Sequence, residues 1–142
     1  MLKSGYSGKC GLFDLSDGKQ VIDFRYDDIT LLGFNRALGK DGSRRYLLDT
    51  STGDVIASLP PNIGAAHFNE TPVTWIFRAK SYYGIIDEEG NILYEDAKDP
   101  LTGVTKFRHG FSGGQKDNKK WGILKSDGTW LVHPTYDYIK LL

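Results

Sequence analysis

Apolar residues along this chain fall in short alternating runs that stop at polar-glycine pairs, and the runs recur. Four segments share one pattern: Cys10-Gly11-Leu12-Phe13-Asp14, Arg45-Tyr46-Leu47-Leu48-Asp49, Tyr83-Gly84-Ile85-Ile86-Asp87 and Trp121-Gly122-Ile123-Leu124-Lys125. Their second positions, 11, 46, 84 and 122, are 35, 38 and 38 residues apart. Each segment runs into a polar turn, Asp17-Gly18, Thr52-Gly53, Glu89-Gly90 or Asp127-Gly128. Such pairs suit hairpins, because glycine takes positive φ freely and short polar side chains bond their own backbone. A second β-like run follows each turn, at Lys19-Gln20-Val21-Ile22, Asp54-Val55-Ile56-Ala57, Asn91-Ile92-Leu93-Tyr94 and Thr129-Trp130-Leu131-Val132. Farther on, Tyr26-Asp27-Asp28-Ile29 matches Tyr136-Asp137-Tyr138-Ile139. Helical spacing is nowhere sustained over a dozen residues, so the pattern predicts an all-β chain. One helical turn is expected at most, over Glu95-Asp96-Ala97-Lys98.

A period of this length marks a repeat architecture. Units near 10–44, 45–82, 83–120 and 121–142 account for the chain, with residues 1–9 standing where the fourth unit lacks its final strand. The simplest geometry is a four-bladed propeller-like ring in one domain spanning 1–142, closed by the N-terminal strand. Closure removes exposed edges. An irregular β-barrel or a short β-solenoid is the alternative.

The stretch Lys119-Lys120-Trp121-Gly122-Ile123-Leu124-Lys125-Ser126-Asp127-Gly128, followed by Val132-His133-Pro134 and Tyr136-Asp137, resembles the WG-repeat family of bacterial β-repeat proteins. Tyr82-Tyr83-Gly84-Ile85-Ile86-Asp87 is nearly as close, whereas Cys10 and Arg45 replace the aromatic and Tyr46 replaces the glycine. The resemblance implies the β-repeat architecture and no reaction, since its motif consists of packing and turn residues.

Composition changes the picture in two ways. Lys plus Arg and Asp plus Glu both total 18 among 142 residues, which argues against a general nucleic-acid binder or a polybasic membrane anchor. The single cysteine, Cys10, excludes an internal disulfide and a multi-cysteine zinc site. No apolar h-region or membrane-length run occurs, so a soluble cytoplasmic protein without cofactor or metal is expected.

Candidate chemistry is sparse. His67, His109 and His133 lack ligand spacing, and His133 occupies an ordinary repeat position. His109, in a basic loop, paired with Lys116 would allow metal-independent phosphodiester cleavage. Gly110-Phe111-Ser112-Gly113-Gly114-Gln115-Lys116 lacks the ending of a phosphate loop. Charge distribution says more. Residues 87–99 hold Asp87, Glu88, Glu89, Glu95, Asp96 and Asp99 against Lys98, an acidic rim suited to a basic partner. Trp75, on the strong strand Val73–Arg78, and Tyr82 are the expected aromatic anchors beside Glu88, Glu89, Glu95, Asp96 and Asp99. The resulting expectation is a non-enzymatic protein-binding module, monomeric when free. Its most concrete form is an immunity-type inhibitor of a toxin, such as a nuclease. A self-assembling structural repeat and the His109 phosphodiesterase are the alternatives.

Overall fold

The computed structural model describes residues 2–3, 8–69 and 72–142, and the chain divides into two compact units, Met1–Ile63 and Gly64–Leu142. Among the described residues every regular element is a strand. In the first unit, β1 (Leu2–Lys3), β2 (Cys10–Phe13) and β3 (Gln20–Tyr26) form one sheet. A second holds β4 (Asp28–Gly33), β5 (Arg36–Asp41), β6 (Arg44–Asp49) and β7 (Val55–Leu59). The second unit contains a sheet of β8 (Gly64–Ala65), β9 (Val73–Arg78), β10 (Ser81–Asp87) and β11 (Ile92–Glu95), and another of β12 (Gly103–Val104), β13 (Phe111–Gln115), β14 (Trp121–Lys125) and β15 (Trp130–Tyr136). All four sheets are antiparallel meanders in chain order.

The repeated turns form for the reason their sequence suggests. Gly18, Gly53, Gly90 and Gly128 take φ of 72°, 81°, 81° and 84°. Their amides donate to the carbonyls of Asp14, Asp49, Asp87 and Lys125 at 2.8, 2.8, 3.1 and 3.0 Å. The Asp14, Asp49 and Asp87 carboxylates accept from the amides of Ser16, Ser51 and Glu89. Lys125 cannot do this, and Asp127 instead accepts from the Thr129 amide and hydroxyl.

One irregularity repeats as faithfully as the turns. Leu12 faces Ile22 but Phe13 faces Gln20, and the same slip separates Leu47–Ala57 from Leu48–Val55. It recurs between Ile85–Tyr94 and Ile86–Ile92, and between Ile123–Val132 and Leu124–Trp130. Val21, Ile56, Leu93 and Leu131 are therefore the extra residues of four equivalent β-bulges, which bend and twist each outer strand. A second slip follows in the first and fourth sheets, around Gly11 and Gly122. There the outer strand folds over the glycine: a Cβ on Gly11 would sit 2.8 Å from the Ile22 oxygen, and one on Gly122 would meet the Val132–Pro134 backbone. In the second sheet the register is unbroken from Arg45–Leu59 to Leu47–Ala57, so Tyr46 replaces the glycine and packs its ring 6.1 Å from Tyr26. The degenerate second repeat is thus a complete four-stranded sheet.

Apolar faces close into a core within each unit. Cys10, Leu12, Ile22, Tyr26, Ile29, Ala37 and Leu48 cluster in the first. Val73, Trp75, Ile85, Leu101, Phe107 and Leu124 cluster in the second.

Two expectations need correction, closure by the N-terminal strand and the helical turn. No sheet closes into a ring or barrel among the described residues. The described part of the N-terminal strand pairs Leu2 with Gly11 and Lys3 with Cys10, completing the first sheet and not the fourth, while residues 1 and 4–7 lie outside the described ones. Each sheet begins one or two strands before its Gly segment. Residues 95–98 form no helical turn, because the Asp96 carboxylate accepts from the amides of Lys98 and Asp99 and holds a bend instead.

Candidate functional site

The acidic run lies on one hairpin edge of the second unit. The β10–β11 hairpin and the bend after it carry all six carboxylates, and β11 is an outermost strand with β10 as its neighbour. Asp87, Asp96 and Asp99 are engaged as follows. Asp87 Oδ1 accepts from the amides of Glu89 and Asn91, and Oδ2 from the Asn91 side chain. Asp96 holds the bend, and Asp99 binds the Lys116 ammonium at 2.7 Å. Glu89 and Glu95 are exposed, with Glu88 half-exposed between the turn residues. Beside them Ile92 and Leu93 are exposed apolar residues, Leu93 because the bulge turns it out of the regular pattern. Tyr94, on the same strand, sits under the core. Burial first, and then the fields of Asp96 and Asp99, hold its phenol above the ordinary range. Its ring meets Trp75 edge-on at 6.5 Å.

Of the two expected aromatic anchors, Trp75 is buried and Tyr82 half-buried. Trp75 is 1% exposed, stacked on Phe107 at 5.6 Å, with Nε1 donating to Ser112 Oγ at 2.9 Å. It is a core residue, because β9 has both faces covered: Thr74 and Ile76, on the face opposite Val73 and Trp75, are equally buried. Tyr82 is half-buried, tilted against Phe77 at 5.4 Å, and with Trp75 and Phe107 lines a cavity of about 160 Å³.

The histidines do not converge on one element. His67 follows β8, His109 sits in the β12–β13 turn and His133 lies on β15, each exposed. His109 takes φ of 53° beside Gly110 at 83°, a tight turn closed by reciprocal Arg108–Phe111 amide bonds. Lys116 stands at the other end of β13. At about 3.3 Å per residue the two are roughly 20 Å apart, too far to share one phosphodiester. Among the described residues no group of His, Cys, Asp and Glu is arranged to hold a metal.

Sequence reading missed a cleft of about 350 Å³ lined by Lys106, Arg108 and Lys140 together with Asn69, Thr105 and Ile139. Lys140 is more than thirty positions from Lys106 and Arg108 in sequence, and only the fold joins it to them. Trp121 is half-buried, over Gly103 of β12 and beside Tyr138 and Ile139. Lys120, immediately before it, is ion-paired with Asp137. The tryptophan, the glycine under the folded-over strand and this ion pair are one local unit.

Residues 121–141 match the family of the WG containing repeat. The other three sheets reuse its turn and bulge without the Trp-Gly pair. Comparison with curated proteins finds no match. Among solved structures, the computationally designed Ika8 protein is similar in fold, with a TM-score of 0.56 and 12% identity over 87% of this chain and 42% of Ika8. BamB from Moraxella catarrhalis gives a TM-score of 0.47 and 16% identity over 87% of this chain and 36% of BamB. The chain spans less than half the length of either. Among the described residues, no helix is long and apolar enough to cross a membrane.

Proposed function

We propose that this β-repeat module is a non-enzymatic protein-binding domain whose docking edge is the β10–β11 hairpin. The observation that carries the reading is the pairing of exposed Ile92, Leu93 and Glu95 on the outermost strand β11 with Glu88 and Glu89 in the turn before it. An apolar centre with acidic surroundings suits a partner with a basic surface, and charges around such a patch chiefly set the encounter rate. Asp87, Asp96 and Asp99 shape and brace this edge through the bonds described above. The most specific form of the proposal is an immunity-type inhibitor. A nuclease toxin must present cations to phosphates, and an acidic edge fits the same groove.

Copurification from the native host, followed by mass spectrometry, identifies the partner, and association kinetics then test the edge. Reversing Glu88, Glu89 and Glu95 to Lys should slow association by about tenfold or more at low salt. The difference should shrink as salt rises, with the melting temperature unchanged. Equal association rates for wild type and triple variant at both salt concentrations would overturn the acidic-edge reading.

A further inference from the structure

Two segments of the chain are twins in sequence and in what precedes them. Residues 26–32 read Tyr-Asp-Asp-Ile-Thr-Leu-Leu and residues 136–142 read Tyr-Asp-Tyr-Ile-Lys-Leu-Leu. Each follows a hairpin with the same two register slips. Each is pinned by the same ion pair, Lys9 to Asp27 at 2.5 Å in the first case and Lys120 to Asp137 in the second.

Their surroundings then diverge. The first segment enters a sheet as β4, with Asp28 opposite Lys40 and Ile29 opposite Gly39. The hairpin β5–β6 covers it: Ile29 shares a core with Ala37 and Leu48, and Gly39 lies against the Tyr26 ring. Tyr26 is 3% exposed and Leu32 0%. In the second segment, residues 137–142 form no strand, and the equivalent residues Tyr136 and Leu142 are 55% and 98% exposed. The twin of a buried strand thus forms no strand here: its ends, Tyr136 and Leu142, are exposed, and Ile139 between them is half-buried over Gly113.

Among the described residues, one sheet shows no such strand. The other three sheets begin with β4, β8 or β12, whereas the order β1-β2-β3 has nothing in that place among the described residues. The repeat fixes how the vacancy would be filled. Gly11 and Cys10 occupy the places of Tyr46 and Arg45. Leu2, opposite Gly11, therefore takes the place of Gly39, and Lys3, opposite Cys10, that of Lys40. Transposing the β4–β5 register sets Ile139 opposite Leu2 and Tyr138 opposite Lys3.

We propose that residues 138–142 of one copy add to the β1 edge of a second copy as its missing first strand. The copies then join head to tail through a heterologous contact made of backbone ladder bonds and buried Ile139 and Leu142. A second copy fits because it brings the kind of hairpin that covers the twin segment, and because a chain of zero net charge does not repel itself. The contact uses neither β11 nor its carboxylates, so it stands or falls separately from the partner-binding reading.

Cross-linking tests the register. Lys3→Cys and Tyr138→Cys are prepared as separate chains, both carrying Cys10→Ala so that the native thiol cannot compete, and are mixed under mild oxidation. Antiparallel neighbours are close enough for a disulfide. A mixed dimer forming faster than either variant dimerises alone is the expected result. Sedimentation of the unaltered chain should show an average mass that rises above 15.9 kDa with concentration. Leu142→Asp should weaken that association by about tenfold or more. Because Leu142 is solvent-exposed in the free chain, its replacement should leave the melting temperature unchanged. A monomer at every concentration overturns the proposal. So does a chain carrying both cysteines that closes only on itself.

Discussion

Replacing Gly122 by alanine tests the claim that the glycine exists to let a strand fold over it. The added Cβ would lie 2.8 Å from both the His133 carbonyl carbon and the Pro134 nitrogen, and closer still to the Val132 oxygen. All three are backbone atoms of β15, held by the bulges and the Lys120–Asp137 pair, so no side-chain rotation gives relief. Overpacking of this kind costs about 1–3 kcal/mol, and a collision with backbone belongs at the top of that range. The proper control is Gly110→Ala. Gly110 has φ of 83° with nothing within 4 Å of a built Cβ, so only left-handed backbone strain of about 1–2 kcal/mol applies. All three tryptophans, Trp75, Trp121 and Trp130, lie in the second unit, and their fluorescence reports the unit that holds the substitution. At a urea slope of about 1.5 kcal/mol per M, a loss of about 3 kcal/mol lowers the midpoint by about 2 M. A midpoint for Gly122→Ala equal to or above that of Gly110→Ala would refute the reasoning.

The remaining predictions concern the core and the turns. Trp75→Ala should cost about 3–5 kcal/mol in a urea titration, as expected for a fully buried ring, while Trp75→Phe should cost less and leave partner association intact. Asp14, Asp27 and Asp127 are held below the ordinary carboxylate range, by Ser16, by the Gly42 amide and then Lys9, and by Thr129 respectively. Groups with depressed folded-state pKa stabilise the fold at neutral pH and lose that contribution as pH falls from about 4 through the lowered values. The urea midpoint should therefore drop across that window, and Asp14→Asn with Asp127→Asn should flatten the drop. A profile identical to wild type would show that these bonds do not differ between folded and unfolded chains.

The period, the turns and the glycines were legible because each is a local matter of a few residues. Gly18, Gly53, Gly90 and Gly128 need positive φ whatever surrounds them. The phase of the repeat was not legible, since a periodic sequence has the same period wherever it is cut. Hydrogen bonding between successive hairpins decides which strand opens a sheet, and it put Leu2–Lys3 beside Cys10–Gly11. Trp75 was misplaced for a related reason. Alternation shows which residues share a face, but not that β8 and β10 leave β9 central and the opposite face covered as well. The acidic run concealed its own division of labour: Asp87 and Asp96 cap nearby amides, a role that composition cannot separate from surface charge. The Lys106, Arg108 and Lys140 cleft was invisible because no local pattern connects its parts.

What repeats in this chain is a backbone path rather than the Trp-Gly pair. The turn, the bulge after it and the place of the Gly segment recur in all four sheets, although only Trp121-Gly122 carries both motif residues. A position spent on that path has little freedom left for recognition, so binding is to be sought where equivalent positions differ. The four bulge residues make the comparison direct. Val21 and Ile56, in the first unit, are half-buried, with Val21 packed on the core. Leu93 and Leu131, in the second, are exposed. Leu93 belongs to the acidic edge, and Leu131 lines a cleft with Leu141 and Leu142 of the segment whose twin is buried elsewhere. The same bulge that shapes each sheet thus turns an apolar residue outward at both surfaces where binding is proposed. The two surfaces are built from one structural device, and they differ in what surrounds it: carboxylates at Leu93, an unpaired strand sequence at Leu131.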